Sequence, residues 1–229
     1  MKNHSPISMI ILLLFAANLS AQNQELLHKY HLVKGDAIRV SAIDNLNVTG
    51  STYFNNDFMP GSLHFPKAAP FLTMVRYDMV KEEMQVLIDK ENYQVLEEDV
   101  IVELYNKRFQ KFDFIGDNKG INTGYFELLK PEEKEPGLLL LRRHSKELKT
   151  NAHSQARGIP AKYVDKTELY IKPVGSHAMV VQSRLSNFLL AFPEESRSEI
   201  GLYIKKNKLN HKKEEDLKTI VDHYNSRLK

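Results

Sequence analysis

FLTMVRYDMVKEEMQVLIDKENYQVL, residues 71–96, is the stretch whose reading decides the fold. In an extended chain Thr73, Val75, Tyr77 and Met79 share one face, and Leu72, Met74, Arg76 and Asp78 share the other. Lys81-Glu82-Glu83 reads as a polar turn. Met84, Val86 and Ile88 then alternate with Gln85, Leu87 and Asp89. Asp89 to Asn92 form a second turn, and Tyr93 to Leu96 a third strand. Three short antiparallel strands follow from this pattern.

The same period of two continues downstream. Val100 to Leu104, Phe109 to Phe114, Thr123 to Leu129 and Leu138 to Arg143 read as further strands, with Gly116-Asp117-Asn118-Lys119-Gly120 the strongest turn signal. Tyr163 to Lys172 and Ala178 to Gln182 read as a final hairpin. His144 to Pro160 is basic and poor in large apolar residues, which predicts a long exposed loop. Upstream, Ala37 to Val48 holds two short strands. Gly50 to Pro70 reads as an irregular segment pinned by Tyr53, Phe54, Phe58 and Phe65. After Ser183, which reads as an N-cap, the period changes to 3.6. Leu185, Phe188, Leu189 and Phe192 mark one helix, Pro193 opens a second, and Leu217, Ile220, Val221, Tyr224 and Leu228 stripe a third. The expected fold class is α+β: an antiparallel β-meander sheet, open or partly closed, with two to three C-terminal amphipathic helices packed on it.

The chain has 229 residues, 42% of them hydrophobic and 27% charged, and no cysteine. That composition suits a globular protein able to bury a core. Without cysteine there are no disulfides, thiolate nucleophiles or Cys-bound metals. Lys2, the apolar run Ile7 to Ala17 and the small Ala21 have the layout of a signal peptide over residues 1–21, too short for a comfortable membrane span. Residues 22–229 are then one exported domain, mostly β over 22–182 and helical over 183–229. A lipoprotein is excluded, since the lipid needs a cysteine. Cleavage leaves 31 basic and 29 acidic residues, too balanced for a nucleic-acid partner.

No chemical constellation stands out. There is no G-x-S-x-G elbow and no phosphate loop. Adjacent acids such as Glu82-Glu83 point to opposite faces of a strand. His28 and His31 lack a third ligand, so no metal is expected. No catalytic residues and no cofactor are assigned. The strands are too short, and too often interrupted by Arg76, Lys111 and Asp113, for an outer-membrane barrel. Charge distribution is more informative. Residues 78–99 carry eight acids and two lysines, whereas residues 142–162 carry six bases and one glutamate. Arg142, Arg143 and Arg157 are therefore candidates for contact with an anionic surface component. Arg76, Tyr77 and Asp78 are candidates on the central strand. A charge facing a core needs a counter-charge, so Arg76 is expected to pair with Asp78.

Three pieces of the chain carry a resemblance. They are G-S-x-Y-x-x-x-x-F-x-x-G at Gly50 to Gly61, Arg76-Tyr77-Asp78 followed by Glu83-Met84-Gln85-Val86, and YIKKNKLNHKKEEDLKTIVDHYN from Tyr203 to Asn225. Together they resemble an uncharacterised family of exported envelope proteins of Gram-negative bacteria, though Asp78 stands where Asn is expected. The resemblance implies an exported, sheet-rich protein and brings no catalytic residues. The function expected is therefore a non-enzymatic binding or interaction protein of the envelope, periplasmic or extracellular, whose partner is an envelope protein or anionic surface component. The alternative is a carrier or sensor for a small apolar or lipid-like ligand held between sheet and helices. An uncharacterised enzyme is the third reading.

Overall fold

The structure is a computed structural model that describes residues 38–39, 48–90, 92–96, 100–130, 137–149 and 159–228. The expected signal peptide, His28 and His31, and Arg157 lie outside the described residues. The fold is α+β, with one large mixed sheet and C-terminal helices. Its strands are β1 (Ile38–Arg39), β2 (Val48–Thr49), β3 (Met59–His64), β4 (Phe71–Asp78), β5 (Glu83–Leu87), β6 (Asn92–Val95), β7 (Ile101–Leu104), β8 (Lys107–Ile115), β9 (Ile121–Leu128), β10 (Leu138–Lys149), β11 (Ala161–Pro173) and β12 (Met179–Val180).

Residues 71–96 form the three antiparallel strands that the alternation predicts, β4, β5 and β6. The meander is not continuous, however. The order is β1-β6-β5-β4-β3-β7-β8-β9-β10-β11-β12, so β3 sits between β4 and β7. The chain runs one meander from β3 to β6, crosses back, and starts a second at β7. The mixed character comes from β2, which pairs parallel with β11. β3 lies in the segment expected to be irregular, because its sequence, MPGSLH, contains Pro60 and Gly61. Both have a local reason. Pro60 falls beyond the end of the β7 register, where β3 has an open side. A Cβ at Gly61 would lie 2.5 Å from the Glu103 carbonyl, so the close approach of β7 requires glycine.

The loop expected over His144 to Pro160 does not begin at His144, and residues 150–158 lie outside the described residues. β10 runs on to Lys149 and pairs with β11 along its whole length, Leu138 opposite Pro173 through to Lys149 opposite Lys162. The far end of the sheet folds back on itself. Ala178 bridges to Phe114, with the Ala178 N–H donating to the Asp113 carbonyl at 2.8 Å and the Ile115 N–H to the Ala178 carbonyl at 2.9 Å. β8, β9, β10, β11 and this segment thus ring a small core of Phe114, Phe126, Leu128, Leu141 and Tyr170.

A single-turn helix, α1 (Leu185–Phe188), leads into α2 (Glu194–Lys206) and α3 (Glu214–Ser226). Its N-cap is Arg184 rather than Ser183, without a side-chain cap bond. Pro193 precedes α2, and acids fill the first turn of both longer helices, opposing the positive end of the dipole. Leu217, Ile220, Val221 and Tyr224 of α3 bury against Leu138, Leu140 and Ile171 of the hairpin. Each such side chain is worth about 1.5–3 kcal/mol. Asn225 fixes the docking. Its amide accepts the Leu138 N–H at 2.9 Å and donates to the Leu138 carbonyl at 3.0 Å. No helix among the described residues is long and apolar enough to cross a membrane.

Candidate binding groove

Arg142 and Arg143 are neighbours on β10 and therefore point to opposite faces. Each finds a carboxylate. On one face Arg142 reaches Glu127, its cross-strand partner on β9, at 3.1 Å. Lys107 Nζ and His144 Nε2 lie 2.6 Å from the same carboxylate. Arg142 also binds Glu214 in the first turn of α3. The Glu127 side chain is only 8% exposed. Burial alone would raise its carboxyl. The hydrogen bonds from His144 and Lys107 and the Arg142 charge outweigh burial and hold it down to about 2. His144 is packed edge-on to Phe54, ring centroids 5.0 Å apart. This cluster is a fastener that joins β8, β9, β10 and α3.

On the other face Arg143 binds Glu82 and lies over the Phe114 ring, 4.6 Å from its centroid. Glu82 sits in the turn after β4 with φ +56°, a left-handed conformation unusual for glutamate. That conformation sends its carboxylate inward. Oε2 accepts the Tyr77 hydroxyl at 2.5 Å and the Tyr125 N–H at 3.1 Å. Burial, then the Glu82 charge and this hydrogen bond, push the Tyr77 phenol well above its ordinary range. The position of Glu82 is notable. The β9–β10 ladder covers only Leu141 opposite Leu128 and Arg142 opposite Glu127, with the Leu129 N–H donating to the Leu140 carbonyl. In that register the next N–H of β9 aimed at β10 is that of Tyr125. Glu82 takes it instead. The carboxylate lies in the fork where the two strands part. Gly124 makes room, since a Cβ there would be 3.0 Å from the Glu82 carboxyl.

The fork opens into a groove. Two adjoining clefts of about 480 and 550 Å³ share Glu82, Asp117, Arg143 and Lys166. The floor is one face of the β10–β11 hairpin. By strand parity Arg143, Ser145 and Glu147 stand opposite Glu168, Lys166 and Val164. The turn at 79–82 and the turn at 116–120 form the walls. Lys166 pairs with Glu168 at 2.9 Å and Lys146 with Asp165 at 2.7 Å. Tyr170 closes the inner end. Burial, helped by Glu168, pushes its phenol up to about 12, so it stays a neutral hydrogen-bond donor.

The candidates from the sequence are distributed differently. Arg76, Tyr77 and Asp78 are all buried. Arg76 does not pair with Asp78. Its Nε and Nη2 donate to Gln85 Oε1 at 3.0 and 2.8 Å, and its guanidinium lies over Tyr53 and Phe58, 4.0 and 4.3 Å from their centroids. Asp78 accepts the Val80 and Lys81 N–H groups at 3.0 and 3.1 Å, so its carboxylate is committed to the turn. Arg142 and Arg143 face carboxylates of the chain itself. Glu82, Asp117, Lys166 and Tyr170 were not singled out from sequence. Gly124, an isolated glycine in a strand pattern, was the available signal of a close approach. Among the described residues no group of three His, Asp or Glu side chains is placed to hold a metal. Comparison of the chain with protein-family models, with curated proteins and with solved structures finds no match.

Proposed function

We propose that the protein is a non-enzymatic binding protein of the bacterial envelope and that the groove over the β10–β11 hairpin is its recognition surface. The observation that carries this is the convergence of Glu82, Asp117, Arg143 and Lys166 on two adjoining clefts, each within the size range of ligand sites. They are held on strands and tight turns, which keep their geometry without ordering costs on binding. Arg143, Lys166 and Lys146 already have carboxylate partners, and Tyr170 is held neutral. Such groups offer hydrogen-bonding positions rather than a poised acid or base. Their charge also weighs against an apolar or lipid-like ligand in this groove. The envelope location rests on the signal-peptide layout of residues 1–21 and on the family resemblance.

The test is capture from envelope extract on immobilised protein. Wild type is compared with a Lys166→Glu, Asp117→Lys double variant and with Glu215→Lys, an exposed change on α3 that serves as control. Specifically captured material should fall at least tenfold with the groove variant and persist with the control. Equal capture by all three would remove the groove from consideration. Turnover in a hydrolase, transferase and redox panel would overturn the non-enzymatic assignment.

A further inference from the structure

One side of the groove is a stretch of the β10 edge that no strand among the described residues pairs. In the β9–β10 register Leu140 and Arg142 direct their main-chain groups toward β9. By alternation His144, Lys146 and Leu148 direct theirs the same way. Extending the register would place Tyr125, Thr123 and Ile121 opposite them, but the ladder stops at Arg142. Among the described residues no strand pairs with β10 on that side beyond this point. The opposite side of the same residues is paired with β11 throughout. The edge does not stand bare in solvent. Ser145 is buried and Lys146 half-buried, and the turn at 79–82 lines the cleft across from them.

Resting on the reading of the groove as a recognition surface, we infer that its ligand is an extended polypeptide segment that adds as a strand to β10 beside His144, Lys146 and Leu148, in the seat β9 leaves. Main-chain bonds would supply affinity, and alternate side chains selectivity. From His144 to Leu148 the edge spans about 14 Å at the strand rise, room for roughly five residues. The two ends of the cleft differ. The outer end carries the exposed apolar side chains Val80 and Leu148. The inner end carries Asp117, which has no ion pair among the described residues. The ionisable walls of the two clefts comprise Glu82, Asp117, Glu147 and Glu168 against Arg143, Lys146 and Lys166, an excess of one acid. The matching segment is apolar at its outer end and basic where it passes Asp117.

The experiment pans a displayed random-heptapeptide library on the intact chain. A selected peptide is then titrated against the ¹⁵N-labelled protein, together with versions N-methylated at each position in turn. Strand addition predicts an alternating pattern. Methylation at positions that donate to β10 weakens binding at least tenfold, and methylation at the intervening positions changes it less than twofold. The amides of His144, Lys146 and Leu148 should gain exchange protection, and Asp117→Lys should weaken the peptide at least fivefold. Methylation tolerated equally at every position would overturn the inference, as would failure to select any peptide. If either occurs while groove variants still abolish capture from envelope extract, the recognition surface stands and only the strand mode falls. If groove variants leave capture intact, the surface itself is refuted. Because N-methylation alters the peptide alone, folding of the protein does not enter the result.

Discussion

Glu127 and Glu82 present two carboxylates to two consecutive arginines on opposite faces of one strand. Their settings differ in a way that separates structural from functional burial. Glu127 sits where β9 and β10 are still paired, is surrounded by Lys107, Arg142 and His144, and ties in α3 through the Arg142–Glu214 contact. Its side chain is only 8% exposed. Glu82 sits where the same strands have parted, accepts from Tyr77, Tyr125 and Arg143, and borders a cleft. One carboxylate lies where the two strands are paired, and the other where they have parted. The lesson is that an inward-facing charge pair is distinguished by the strand edge beside it that no described strand pairs, not by the pair itself.

Removing Glu127 should have the largest effect. Glu127→Ala leaves Lys107, Arg142 and His144 crowded around a site without its anion. Loss of one partner of a buried pair costs about 3–5 kcal/mol. Urea unfolding should show the midpoint falling at unchanged slope. A loss under about 1 kcal/mol would mean that the cluster is dispensable and the comparison fails on this face.

The acid limb follows from the same residue. The Glu127 carboxyl ordinarily titrates at 4.5 and is held down to about 2 when folded. Its contribution is therefore complete above pH 4.5 and drains away as pH falls from 4.5 toward 2. A depression of this size corresponds to about 3 kcal/mol. Stability measured across that window should fall steeply in wild type and more shallowly in Glu127→Gln, which has no carboxyl to protonate. Parallel curves for the two proteins would assign the acid sensitivity elsewhere.

Glu82→Ala should cost less, about 1–3 kcal/mol, because groove water can replace part of what Tyr77, Tyr125 and Arg143 lose. Its sharper signature is local. Amide exchange at Tyr125 should accelerate far more than at Phe126, whose paired partner on β8 is untouched. Equal acceleration at both would mean that the fork opens by global unfolding rather than locally.

Much of this architecture was legible, and the parts that were not share a cause. The period of two placed β4, β5 and β6, and the change to 3.6 placed the helices, because burial of one face imposes those periods directly. The complementarity of the acidic residues 78–99 and the basic residues 142–162 was visible as a trend and is realised in Glu82–Arg143, but 61 positions separate the pair. Arg76 shows the limit. Its need for compensation was evident from its face, yet the partners are Gln85, Tyr53 and Phe58, which tertiary packing selects. Asp78 could not serve because the turn that it starts claims its carboxylate. β3 was hidden by Pro60 and Gly61, residues that local propensity assigns to turns and that only the neighbouring strands explain.

The smallest effect tests the fork most directly, because its sign should change with background. Gly124→Ala adds a Cβ 3.0 Å from the Glu82 carboxyl, which Tyr77, Tyr125 and Arg143 hold in place. Overpacking of this kind costs about 1 kcal/mol. Once Glu82 is alanine the obstruction is gone. What remains is the ordinary gain from replacing glycine in a strand, about 0.4–1 kcal/mol through a less flexible unfolded chain. A double-mutant cycle over Gly124 and Glu82 should therefore show a coupling of about 1 kcal/mol. If Gly124→Ala has the same sign and size in both backgrounds, Glu82 does not occupy the fork. The glycine would then need another explanation, and the groove would lose the residue that holds its strands apart.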